Sequence, residues 1–78
     1  MERDLAGQIV RFIQRVRQQD LSKPPGIAET LDWAAALLSL GKQSLTSEAV
    51  EETIGCILKS NEDITRVQNE GIAAILSL

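Results

Sequence analysis

Apolar residues recur along this chain at steps of three and four, the spacing that gathers side chains on one face of an α-helix. Leu5, Ile9, Phe12, Ile13 and Val16 form the first such stripe, with arginines and glutamines on the other side. They predict a helix over about residues 3–19. Asp20-Leu21-Ser22-Lys23-Pro24-Pro25-Gly26 breaks the pattern. Each proline lacks a backbone donor and disfavours helical geometry at the residue before it, here Lys23 and Pro24. A loop is expected, with Pro25 suited to the first turn of the next helix.

The second stripe is Ile27, Leu31, Ala34, Ala35 and Leu38, on a helix over about residues 25–40. Glu29 and Asp32 fall in its first two turns, where the helix dipole favours negative charge. Gly41 supplies the left-handed residue that commonly ends a helix. In Ala34-Ala35-Ala36 the small side chains allow another backbone close approach. Trp33 lies one residue off the stripe, so an edge position is expected, with its indole N–H seeking an acceptor.

Thr46 or Ser47 caps a third helix over about residues 47–59, striped by Val50, Ile54, Ile57 and Leu58. Ser60 and Asp63 make a Ser-x-x-Asp start for a fourth, over about residues 61–77. Its face holds Ile64, Val67, Gly71, Ile75 and Leu78, broadened by Ile72 and Leu76. No period-two alternation and no Asn-Gly or Asp-Gly turn suggests a strand. The expected fold is all-α: a compact four-helix bundle, or two stacked helix hairpins, in one domain.

Composition narrows the function. The chain has 78 residues, and one this short buries only about 60% of the surface its unfolded form exposes. A disulfide cannot staple it, because Cys56 is the only cysteine, and zinc is not expected with no histidine present. Helix packing, a partner, or both must hold the fold. The net charge of −3, from 8 basic and 11 acidic residues, argues against a nucleic-acid binder, which needs a basic face. Arg11, Arg15 and Arg17, with Arg3 further back, are expected on a solvated helix face. Phe12 and Trp33 are the only aromatics, too few for a base-stacking platform. No apolar run approaches a membrane span, and the start of the chain leads into no signal-like apolar stretch. A cytoplasmic location is expected.

The chemistry of common active sites is missing. Without histidine there is no usual triad base, and no Gly-x-x-x-x-Gly-Lys-Ser/Thr phosphate loop is present. Adjacent acids such as Glu51-Glu52 and Glu62-Asp63 point about 100° apart on a helix, so neither pair converges on a metal; solvated surface is expected for both. Cys56, among apolar residues, is expected to be a buried, inert thiol. No catalytic residue and no metal ligand is assigned.

Two blocks carry a resemblance. Lys23-Pro24-Pro25-Gly26-Ile27-Ala28-Glu29-Thr30-Leu31-Asp32-Trp33-Ala34 resembles a recurring stretch in the C-terminal lid of MoxR-type AAA+ ATPases. The branch it looks most like is the one associated with carbon monoxide dehydrogenase maturation. The second block is Leu45-Thr46, Val50, Thr53-Ile54-Gly55-Cys56-Ile57-Leu58-Lys59 and Glu62-Asp63. The resemblance implies a small helical lid following an α/β core that binds ATP and Mg, packed over nucleotide and against the neighbouring subunit of a ring. There it takes part in remodelling clients or inserting cofactors. This chain matches the lid alone, so a fragment of a larger ATPase is expected, without activity or cofactor of its own. Lys23, Pro24, Pro25, Glu29, Asp32 and Trp33 become candidates for contact with nucleotide or core. Two departures limit the transfer. Many AAA+ lids open a helix with a sensor arginine, absent from Pro24-Pro25-Gly26-Ile27. Ala35 also stands where relatives often carry arginine. The nucleotide-sensing role is not carried over.

The alternative is a stand-alone helical protein–protein interaction module or small homodimer. A free lid is also expected to self-associate, since it exposes surface normally covered. A helix-turn-helix DNA reader fits poorly, because the third helix carries Glu48, Glu51 and Glu52 against Lys59 alone.

Overall fold

The computed structural model describes residues 3–77, and all its regular structure is helical. Five α-helices follow in order: α1 Arg3–Val16, α2 Ile27–Ser39, α3 Ser47–Thr53, α4 Asn61–Glu70 and α5 Ile72–Ser77. A 3₁₀ turn, Ile54–Cys56, continues α3. Among the described residues there is no strand, and the helices pack as a small bundle measuring 30 × 24 × 19 Å. The predicted Leu78 and the side chain of Arg3 lie outside the described residues.

The α1 stripe holds throughout: Leu5, Ile9, Phe12, Ile13 and Val16 are all buried, against α2 on one side and α5 on the other. The helix stops at Val16, short of the expected end. Beyond it no residue before Leu21 is apolar, and the chain tightens through Gln18 N donating to Arg15 O and Gln19 N to Val16 O.

In α2 the expected core face is wrong. Ile27 is 80% exposed, Leu31 65% and Leu38 46%, whereas Trp33 and Leu37 are fully buried. Trp33 is therefore not at an edge but at the centre, its ring 5.5 Å from that of Phe12. The physical reason lies in α2 itself, which is apolar nearly all round. Two stripes satisfy the helical period equally, and the one holding the largest apolar side chain goes inward. Pro25 is buried but stands outside the helix, next to the N-cap Gly26. At the other end Gly41, at φ 73°, closes a Schellman turn. Gly41 N donates to Leu38 O and Lys42 N to Leu37 O, both at 3.0 Å.

Thr46 caps α3 as expected, its hydroxyl accepting from Ala49 N at 3.1 Å. The α-helix ends at Thr53 rather than running on to Lys59. Gly55 weakens a helix by about 1 kcal/mol, and Ile54 O takes both Ile57 N and Leu58 N at 3.1 Å. The tighter turn still buries Ile54, Ile57 and Leu58. Cys56 is only partly buried, at the margin of the core rather than within it.

The expected fourth helix is two. Gly71 adopts φ 95°, a conformation outside any helix and open chiefly to glycine. The break turns α5 back onto α3 and α1. It buries Ile72 and Ile75, while Ile64 and Leu76 pack partly buried at the core's edge.

Candidate functional site

The residues singled out by sequence cluster where the loop before α2 meets α4. Asp63 is 2% exposed although it is a carboxylate. Its Oδ1 accepts from Ser22 N and its Oδ2 from Lys23 N, both at 2.8 Å. Each oxygen thus satisfies one loop amide, and charge-assisted bonds of this kind are about twice as strong as neutral ones. The expected partnership of Asp63 with Ser60 is not formed; Ser60 occupies the N-cap without a side-chain bond. Nor is Asp63 solvated, unlike Glu51, Glu52 and Glu62, which are exposed.

Three residues on, the chain is fixed again. Gly26 N donates to Glu29 Oε1 at 2.8 Å, which ties the carboxylate to an otherwise orphaned amide at the start of α2. The Thr30 hydroxyl donates back to Gly26 O at 2.8 Å. One turn deeper, Trp33 Nε1 donates to Thr53 Oγ1 at 2.7 Å, and that hydroxyl donates to Ala49 O, also at 2.7 Å. No buried side-chain polar atom among the described residues is left without a partner.

The six candidates therefore divide. Pro25 and Trp33 face the core of this chain, and Glu29 is engaged at the helix start. Lys23, Pro24 and Asp32 are exposed and present their side chains outward. Sequence reasoning missed Asp63 and Thr53 as joints. A signal existed for both: Asp63 precedes buried Val67 by four, and Thr53 lies three after Val50 and four before Ile57, so each falls on a buried stripe.

Beside the Asp63 joint runs a groove of about 700 Å³ along the outer face of α4, lined by Ser22, Asn61, Glu62, Asp63, Thr65, Arg66, Asn69 and Glu70. The residues lining it are all polar or charged, of both signs, though about half of the surface they present to the groove is apolar. On α1, Arg15 is not merely solvated: its Nη1 donates to Ile75 O at 3.0 Å. Arg11 and Arg17 are exposed. Among the described residues no helix is long and apolar enough to cross a membrane. Compared with protein-family models, curated proteins and solved structures, the chain matches none of them.

Proposed function

We propose that this chain is the helical lid of a MoxR-type AAA+ ATPase, working in the cytoplasm with a separate core that binds ATP and Mg. The observation that supports it most is that the two resembling blocks are joined in space. Lys23 N, in the first block, donates to Asp63, in the second, and Trp33 donates to Thr53. The two joints hold the blocks together as one surface, which the lid reading requires. In this role residues 23–33 form a preset edge, with Lys23, Pro24 and Asp32 as the side chains offered to the core or a ring neighbour. The chain supplies position, and chemistry belongs to the core.

A chimera tests the proposal. This chain replaces the lid of a MoxR-type ATPase, and ATP hydrolysis is measured on the assembled ring. Hydrolysis near the parent's level, lowered several-fold by Asp32→Lys, is the expected result. A ring that assembles and binds ATP but hydrolyses none counts against it. So does micromolar ATP affinity of the free chain by calorimetry, since the lid alone has no phosphate loop.

A stand-alone helical interaction module is the second reading. The uncovered apolar side of α2 favours it.

A further inference from the structure

The break between α4 and α5 is a single residue, Gly71, at φ 95° and ψ 107°. The chain is helical right up to it on both sides. Gly71 N donates to Val67 O at 3.1 Å, and Gly71 O accepts from Ile75 N at 3.0 Å. Both are bonds that an unbroken helix also makes. Ile64, Val67, Gly71 and Ile75 keep helical spacing across the break. Moving Gly71 alone into the helical region therefore makes one helix over residues 61–77. It also lets the amides of Ile72, Ala73 and Ala74 bond the carbonyls of Gln68, Asn69 and Glu70. We infer that α5 is an exchangeable strap. Hinged at Gly71, it swings out as the end of one long helix and takes the α5 seat of a second copy, which returns its own.

The seat that α5 leaves names its occupant. Helix α5 packs on α1 and α3 and buries Ile72 and Ile75. Arg15 Nη1 fastens it by donating to Ile75 O at 3.0 Å. A chain opened by itself loses these contacts and leaves both isoleucines in water, so it is rare. Another α5 restores them residue for residue, and a two-fold exchange fills both seats at once. The exchanged pair regains the contacts of the closed seat and adds the continuous helix. Against it stands the cost of bringing two chains together. The closed monomer therefore dominates in dilute solution, and the pair gains as the chain is concentrated. Exchange is slow, because α5 must leave its seat first. Glycine sets this balance. Alanine at position 71 is strained in the break but favoured in the long helix. An added Cβ meets Ala74 Cβ at 3.6 Å, an ordinary contact, so the strain comes from the backbone angle and not from crowding.

This inference rests on the break and not on the ATPase proposal, so an inactive chimera leaves it standing. The whole chain is held at about 1 mM, diluted to about 20 µM, and passed at once over a sizing column with light scattering. The native sequence is expected to show a minor dimer that returns slowly to monomer. Gly71→Ala is expected to raise the association constant about tenfold or more. Ala73→Pro lies at an exposed position in the first turn of α5. It spares the closed form but bars the long helix, where its ring meets the Asn69 carbonyl. It is expected to stay monomeric with its helical circular dichroism kept, and to cancel the gain when added to Gly71→Ala. In a dimer of one isotope-labelled and one unlabelled copy, nuclear Overhauser contacts between Ile75 and Arg15 are expected to cross from copy to copy. A folded Gly71→Ala chain that is strictly monomeric at about 1 mM overturns the inference. If that variant does not fold, a strictly monomeric native chain at the same concentration overturns it. So does a dimer whose Ile75–Arg15 contacts all stay within one copy, or one that Ala73→Pro leaves unchanged.

Discussion

Trp33 and Thr53 are joined by a buried hydrogen bond of 2.7 Å, indole N–H to hydroxyl, and Thr53 passes the interaction on to the Ala49 carbonyl. The largest side chain in the core is thus also its most specified. Its apolar rings fill the centre, and its one polar atom has a single place to go.

Replacing Thr53 by valine keeps the shape and removes the acceptor. The indole N–H is then stranded, which costs about 1–3 kcal/mol. Urea denaturation, followed by the fluorescence of the only tryptophan, is expected to show a lower midpoint with an unchanged slope. Thr53→Ser, which keeps the acceptor, is expected to lose less.

Leu31 and Leu37 test which side of α2 faces inward. Leu37→Ala empties a fully buried site and is expected to cost about 2–5 kcal/mol. Leu31→Ala, at 65% exposure, is expected to stay within about 0.5 kcal/mol. A larger loss at Leu31 than at Leu37 in thermal melts at low concentration would mean the helix is turned the other way.

Asp63→Ala removes both acceptors for the Ser22 and Lys23 amides. Hydrogen exchange at these two amides is expected to rise at least tenfold relative to those in α1, with a stability loss of about 1–3 kcal/mol. Asp63→Asn keeps one carbonyl oxygen and is expected to protect one amide better than the other.

Two glycines are expected to respond with opposite signs. Gly71→Ala forces a side chain into φ 95° and is expected to destabilise by about 1–2 kcal/mol. At Gly55 an added Cβ meets nothing within 4 Å and the backbone φ is not positive. Gly55→Ala is expected to stabilise by about 0.4–1 kcal/mol, by restricting the unfolded chain. Melting temperatures of the two variants check the pair.

Periodicity made the helices of this chain legible, and it placed every core residue of α1 correctly. It failed in α2 because a helix apolar on two sides has no unique inward face; only the contest between Trp33 and Leu31 for the interior decides it. It failed at Asp63 because an acid is expected outside, and what draws this one inward is a pair of loop amides about 40 residues away in sequence. Such joints pair local features that look unremarkable apart. The break at Gly71 was hidden for a related reason. The apolar spacing runs across it unchanged, so pattern alone cannot separate one long helix from two short ones sharing a stripe.

Helix α5 packs against α1, and Arg15 donates to Ile75 across 60 positions. A ribosome that makes about 5–20 residues per second delivers the first of these partners roughly 3–12 seconds before the second. Through that interval the side of α1 that packs on α5 is uncovered. The half-made chain is therefore expected to expose more apolar surface than the finished fold, and this interval is where a holding chaperone would matter.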